Sequence, residues 1–182
     1  MKVEAFKKQY KTCTVKVDQV RSKAKVTVFT GENGIGKTTL LKAMAKLIAY
    51  DGVVSCHGKT MYAEEIFRYP EAMKVLDYLT LLQSLGEKDN TRLEKLLDVF
   101  DLRDKLNKPL GALSKGFKQK VNLVQALMET VDTYILDEPL SGLDVASQQN
   151  LYDYIANDDR KYIIATHRWT NAMKVRGKAV AL

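Results

Sequence analysis

The stretch Gly31-Glu32-Asn33-Gly34-Ile35-Gly36-Lys37-Thr38-Thr39 restricts the fold of this chain more than any other. It fits the pattern G-x-x-x-x-G-K-[ST]. A β-branched and aromatic run, Val26-Thr27-Val28-Phe29, precedes it and reads as a buried strand. Leu40, Leu41, Met44, Leu47 and Ile48 follow at helical spacing, and the helix is predicted to run to about Tyr50. A strand, a glycine loop and a helix together converge backbone N–H groups on one point, where the helix dipole adds positive potential. That arrangement accepts a chain of phosphates. Glycine permits the close wrapping, because it lacks Cβ and tolerates positive φ. Lys37 would reach the β- and γ-phosphates, and the Thr38 hydroxyl would ligate Mg²⁺.

The 182 residues suit one domain, or a core carrying an insertion, and 46% hydrophobic content supports a sizeable interior. No run approaches the ~18 apolar residues of a membrane span. Met1-Lys2-Val3-Glu4 opens no signal peptide, because no apolar stretch follows it. Cys13 and Cys56 are far apart and fit a reducing compartment without redox chemistry. Cys56-His57 reads as a surface turn before Gly58 rather than a metal site, since no further ligands are spaced to help. The net charge of +7 comes from 29 basic and 22 acidic residues. It is spread along Lys7, Lys8 and Lys11, then Lys115, Lys118 and Lys120, then Arg168, Lys174, Arg176 and Lys178. No basic tail or basic-aromatic module concentrates it, so it permits anionic partners without selecting one.

Residues 1–30 read as strands, with Thr12–Val17 alternating and Val26–Thr30 entering the glycine loop. Asp51-Gly52 reads as a turn, followed by strands at Val53–Ser55 and Thr60–Tyr62. Helices take over from about residue 66. Met73, Leu76, Leu79, Leu82 and Leu85 are assigned to one helical face ending at Gly86. Thr91-Arg92-Leu93-Glu94 has the form of a capping box, with Leu93, Leu96, Leu97 and Phe100 as the stripe behind it. Pro109 and Gly111 interrupt the helices, and Ser114 is placed as the N-cap of the next, with Val121, Val124, Leu127 and Met128 inward. Strands return at Thr133–Leu136 and Tyr162–Thr166, separated by a helix carrying Leu151 and Ile155. Strands and helices that alternate on both sides of a helical block imply an α/β core with an inserted helical subdomain.

A phosphate loop needs a metal anchor and a group that activates water before it hydrolyses anything. Ile135-Leu136-Asp137-Glu138 supplies both. A hydrophobic strand ending in an acid delivers its carboxylate to the C-terminal edge of a parallel sheet, where the phosphate loop also opens. Asp137 would hold Mg²⁺ and Glu138 would polarise the attacking water.

Several motifs then carry a family resemblance. Leu136-Asp137-Glu138-Pro139-Leu140-Ser141-Gly142-Leu143-Asp144 resembles the Walker B and D-loop of ATP-binding cassette (ABC) ATPases. Leu113-Ser114-Lys115-Gly116-Phe117-Lys118-Gln119-Lys120 resembles the family's L-S-G-G-Q signature, and Ser114 lies 23 positions before Asp137. Ala165-Thr166-His167 resembles the switch histidine. The resemblance implies a phosphate-loop NTPase (RecA-like) fold with a β-rich N-terminal part, a nucleotide-binding core over 1–65 and 113–182, and a helical subdomain over 66–112. It implies ATP with Mg²⁺ bound by Gly31–Thr39, with Lys37, Glu138 and His167 catalytic and Thr38, Asp137 and Glu64 at the metal. Glu64 is aligned with the family's Q-loop glutamine, and Tyr10, ahead of Phe6, is assigned to stack on adenine. Ser114, Lys115, Gly116 and Asp144 would act across a head-to-tail dimer, completing the partner's ATP site. Lys115 and Phe117 depart from the signature, in an L-S-K-G-x-K-Q form similar to exporter-type ATPases. The resemblance therefore implies a cytoplasmic ATPase subunit, peripheral on the inner face of the membrane through transporter subunits on another chain, with no nucleic acid as partner. Phe67, Arg68 and Tyr69 could line the groove for those subunits. A soluble ABC protein acting on nucleic acid or ribosomes is the alternative class.

Overall fold

The computed structural model describes residues 1–86, 90–167 and 177–181. Arg168, Lys174 and Arg176 of the third basic group lie outside the described residues. Contacts divide the chain into two compact units. The first holds Met1–Tyr62, Val131–Glu138 and Asp159–Leu182; the second holds Ala63–Thr130 and Pro139–Asp158. No described helix is long and apolar enough to cross a membrane.

The first unit is built on two sheets. In one, β1 (Lys2–Gln9) lies between β2 (Thr14–Arg21) and β4 (Asp51–Ser55), antiparallel to both. The other has the order β5-β6-β7-β3-β8, from Thr60–Ala63, Thr133–Asp137, Lys161–Thr166, Val26–Thr30 and Gly177–Ala181. The pairs β6·β7, β7·β3 and β3·β8 are parallel. Parallel strands are covered on both faces, which is why β6 is buried along its whole length and β3 at all but its last residue. Helix α1 (Lys37–Met44) buries Leu40, Leu41, Ala43 and Met44 in a cluster with Phe29, Ile135 and Ile163 and with Val3 and Phe6 of β1.

Three sequence expectations change in this unit. Helix α1 stops at Met44, six residues before Tyr50. Lys46 turns left-handed at φ 60°, donates to the Ala43 carbonyl at 3.0 Å, and Leu47 N–H donates to the Lys42 carbonyl at 2.9 Å. This is a Schellman stop with lysine where glycine is usual, and it leaves Leu47 60% exposed instead of on the core face. Asp51-Gly52 is the start of β4 rather than a turn. Gly52, at φ +96°, faces a register shift between Glu4 and Lys7 of β1, and a Cβ there would stand 2.2 Å from the Ala5 carbonyl oxygen. Strand β2 begins at Thr14, so Thr12 and Cys13 precede it.

The second unit is helical: α2 (Val75–Leu85), α3 (Asn90–Val99), α4 (Lys115–Leu127) and α5 (Val145–Asn157), with short 3₁₀ turns at Arg103–Lys105 and Leu110–Ala112. It contains the 66–112 stretch together with segments on both sides of it. Leu93, Leu96, Leu97 and Phe100 are buried as the stripe predicted. The face assigned to α2 is corrected. A strict three-residue step drifts by about 60° per step on a helix of about 3.6 residues per turn. The buried residues are accordingly Val75 and Leu79; Met73 precedes the helix, and Leu76 and Leu85 are exposed. The capping box at Thr91–Glu94 is also corrected, because α3 already includes Asn90 and Thr91 lies within its first turn. Ser114 does cap α4, its Oγ accepting from Phe117 N–H at 3.4 Å.

Two measurements check this unit-level picture. A Cβ on Gly36 would meet Val15 Cγ1 at 2.4 Å at φ +111°, whereas Gly34, at φ +86°, has open space around it. Gly34→Ala should cost about 1–2 kcal/mol of backbone strain, and Gly36→Ala about 1–3 kcal/mol more from the clash. Urea unfolding should show that gap, and Val15→Ala should recover the steric part alone; equal losses in the two variants would contradict the packing. Burial pushes the Cys56 thiol up to about 11, while Cys13 is exposed. Since the thiolate is the nucleophile, iodoacetamide at neutral pH should label Cys13 well before Cys56, and labelling at equal rates would contradict the buried placement.

Candidate active site

The glycine loop leads directly into α1. Gly36 occupies the N-cap at φ 111°, ψ 11°, a conformation open to glycine, and no side chain caps the helix. The first-turn N–H groups of α1 therefore have no side-chain cap from that residue. Lys37 is buried, and its ammonium donates to the Gly31 carbonyl at 2.8 Å and the Glu32 carbonyl at 3.0 Å. The loop itself positions the cation that would face the terminal phosphates. Glu32, Asn33, Gly34 and Ile35 are exposed, and Thr38 and Thr39 are half-buried.

Tyr10 follows β1 and reaches this loop, its hydroxyl 3.3 Å from Thr39 Oγ1 and its side chain 38% exposed. Phe6 is 1% exposed and packs against Tyr50, so it is a core residue and unavailable for stacking on a base.

The parallel register brings the remaining groups to the same sheet edge. Thr30 of β3 pairs with Thr166 of β7, and Asp137 of β6 pairs with Ala165. The next residues are Gly31, His167 and Glu138. Glu138 sits at φ 45°, a strained conformation for a non-glycine residue. Its N–H donates to the Ala165 carbonyl at 2.9 Å, which fixes that geometry. Its side chain is 8% exposed, and Oε1 accepts the His167 backbone N–H at 2.9 Å. His167 Nδ1 lies 2.9 Å from the same oxygen. The acid and the histidine thus form a pair across 29 residues of sequence.

Asp137 Oδ2 accepts the Tyr62 hydroxyl at 3.1 Å, while Oδ1 is buried and accepts no hydrogen bond. Tyr62 was legible only as a strand residue; nothing in the local pattern announces a partner for Asp137. Among the described residues no group of three or more His, Cys, Asp and Glu could hold a metal ion. A carboxylate and the Thr38 hydroxyl are hard oxygen donors of the kind Mg²⁺ takes when phosphate oxygens and water complete its shell. The residues present fit that cation in the company of a nucleotide.

In the second unit, Gly116 opens α4 against the loop after Glu138: a Cβ there would stand 2.7 Å from the Gly142 carbonyl oxygen. Asp144 caps α5, accepting from Ser147 N–H at 2.8 Å and Ser147 Oγ at 3.0 Å, with Lys120 Nζ at 3.6 Å. The Ser147 bonds hold its carboxyl below the usual range, with Lys120 adding to the effect. Lys115 is exposed, and the Phe117 ring lies under two ammoniums, Lys105 at 4.7 Å and Lys120 at 4.8 Å. The Glu64 carbonyl accepts from Asn122 Nδ2 at 2.8 Å. Phe67 and Tyr69 line a cavity of about 210 Å³ with Glu65, Ile66, Lys115 and Lys118; Arg68 does not.

The chain is 32% identical over 151 residues to the ABC transporter ATP-binding protein NatA of Bacillus subtilis (strain 168), covering 73% of this chain and 61% of the relative. It is 28% identical over 192 residues to the phosphate import ATP-binding protein PstB 2 of Enterococcus faecalis (strain ATCC 700802 / V583), covering 87% and 71%. The chain thus spans about three fifths of the length of NatA, and 56% of an uncharacterized ABC transporter ATP-binding protein of Methanocaldococcus jannaschii with which it is 34% identical. Among solved structures, the ATP binding subunit of an ABC transporter superposes with a TM-score of 0.84 at 24% identity, covering 100% of this chain and 85% of that one. The archaeal ribosome recycling factor aABCE1, in complex with the stalk protein aP1, superposes at 0.82 and 21% identity over 36% of its length. Both likenesses are of fold. The family described as ABC transporter matches residues 17–141, more than half of the sequence, and the chain belongs to that family.

Proposed function

We propose that the chain binds and hydrolyses ATP as the nucleotide-binding subunit of an ABC transporter. The observation that carries this reading is the pair formed by Glu138 and His167 at the edge where the phosphate loop opens. Lys37 would neutralise charge on the terminal phosphates, and the α1 N-terminus would hold them by backbone N–H groups. Thr38 and Asp137 would hold Mg²⁺, which would supply positive charge against the phosphates. Glu138 would take a proton from the attacking water, and His167, held beside Glu138 Oε1, would contact the γ-phosphate and orient that water. Tyr10, at the rim of the loop beside Thr39, is the surface offered to adenine. Glu64 is proposed as the Q-loop carboxylate near the metal on the strength of its alignment.

The second half of the site would come from a second ABC ATPase protomer, in a homo- or heterodimer. Ser114, Lys115 and Gly116 form a helix start with a hydroxyl and backbone donors, the same anion-binding device as the phosphate loop. In a head-to-tail dimer that start would close over the partner's ATP, with Asp144 crossing the interface. Transporter subunits on another chain would anchor this one at the cytoplasmic face of the membrane. The export direction rests on the Leu113–Gln119 form alone, while PstB 2 is an importer by name. The alternative of a soluble ABC protein acting on nucleic acid or ribosomes is favoured by no residue described above. Its discriminant is salt-sensitive RNA binding, against capture by a membrane protein.

Glu138→Gln should lower turnover by roughly 100-fold or more and leave an ATP-bound dimer in size-exclusion chromatography. A variant that stays monomeric with ATP would overturn the sandwich. Lys37→Ala should lose nucleotide binding or turnover in a fluorescent-nucleotide titration and a phosphate-release assay. Retained affinity with retained turnover would refute the assignment of the loop.

A further inference from the structure

Helix α4 carries polar side chains through the interior of the second unit, where its neighbours Val121, Leu123 and Val124 are apolar and fully buried. Gln119 is 6% exposed and donates through Nε2 to the Pro139 carbonyl at 3.1 Å. Asn122, 0% exposed, donates through Nδ2 to the Glu64 carbonyl at 2.8 Å and stands 3.5 Å from Gln119 Oε1. Its Oδ1 accepts from Gln125 Nε2 at 2.9 Å. Gln125 Oε1 in turn accepts the Tyr78 hydroxyl, and the Tyr78 ring packs on Phe67, 5.8 Å between centroids. One chain of contacts therefore runs from the aromatic cluster at Phe67 to the main chain immediately after Glu138.

A buried amide is expensive unless its hydrogen bonds are made, and an apolar residue would serve the core as well. Buried networks that are satisfied fix geometry. Here the two carbonyls fixed are both in loops: Glu64, which follows β5, and Pro139, which follows the proposed catalytic acid. The Tyr78 phenol is raised by burial, so it stays a neutral donor at the end of the chain.

We propose that Asn122 is a positioning residue that ties the main chain at Glu64, through Gln119, to the main chain after Glu138, and so holds the catalytic acid in place. This deepens the ATPase reading and rests on it. Asn122 meets Glu64 through its main-chain carbonyl, not its carboxylate.

The test uses Asn122→Leu, which keeps the branching at Cγ and removes every polar link, with Gln125→Leu as a milder second variant. Hydrogen exchange of the free protein is read at short times in peptides covering 64–69 and 140–144. Asn122→Leu should speed exchange in both peptides together, and more than in a peptide covering the sheet strand 133–137. With ATP, kcat should fall 5-fold or more at unchanged KM, and Gln125→Leu should give a smaller loss of the same kind. Exchange that rises in one peptide or in neither would overturn the tie, as would unchanged kcat in an active wild type. A wild type that binds ATP without hydrolysing it would instead defeat the ATPase reading, and with it the kinetic half of this inference.

Discussion

The site depends on three parallel strands ending level. In a parallel sheet all C-terminal ends share one edge, so residues distant in sequence become neighbours without any long connection. The pairs Thr30–Thr166 and Asp137–Ala165 set that edge here. A slip of one residue would invert the faces of a whole strand. Both faces of these strands are buried, so the register rests on how Val28, Phe29, Ile135, Leu136, Ile163 and Ile164 pack on each face rather than on burial alone. The apolar cores of β3, β6 and β7 thereby decide where the phosphate loop, the acid and the histidine stand.

On that edge the chain accepts local strain. A left-handed conformation at a non-glycine residue costs about 1–3 kcal/mol and persists only where its surroundings enforce it. Glu138 is enforced by the bond to the Ala165 carbonyl on one side and by burial of its carboxylate against His167 on the other. The strain is therefore tied to the alignment of an acid rather than spread through a loop. The second unit uses the opposite device. Its working loops are held by side chains of α4, from Gln119 on Pro139 to Asn122 on Glu64.

Much of this was legible in the sequence, because its signals are local. The buried runs at Val26–Thr30 and Thr133–Asp137 are long apolar stretches beside glycines and acids, and Ser114 precedes a clear helical stripe. What escaped depended on distance or on unusual residues. The end of α1 was hidden because lysine, not glycine, takes the left-handed position at residue 46. The face of α2 was misread because a step of three imitates helical periodicity over one turn and fails over three. Phe6 looked available for a ligand because alternation in a strand does not say which face is covered, and its face is the core. The contacts Glu138–His167, Tyr62–Asp137 and Asn122–Glu64 span 29, 75 and 58 residues and have no local signature. The motifs named Glu138, His167, Asp137 and Glu64; the fold supplied the pairing and the partners Tyr62 and Asn122.

In the proposed head-to-tail dimer, with the phosphate loop on one chain and the Ser114 helix start on the other, hydrolysis would be a property of two chains. The direct measurement is the ATPase rate per chain as protein concentration is raised from well below to well above the dimerisation range. The specific rate should climb with concentration and then level off. A specific rate that is constant across that range would contradict it, because the site within one chain would then suffice.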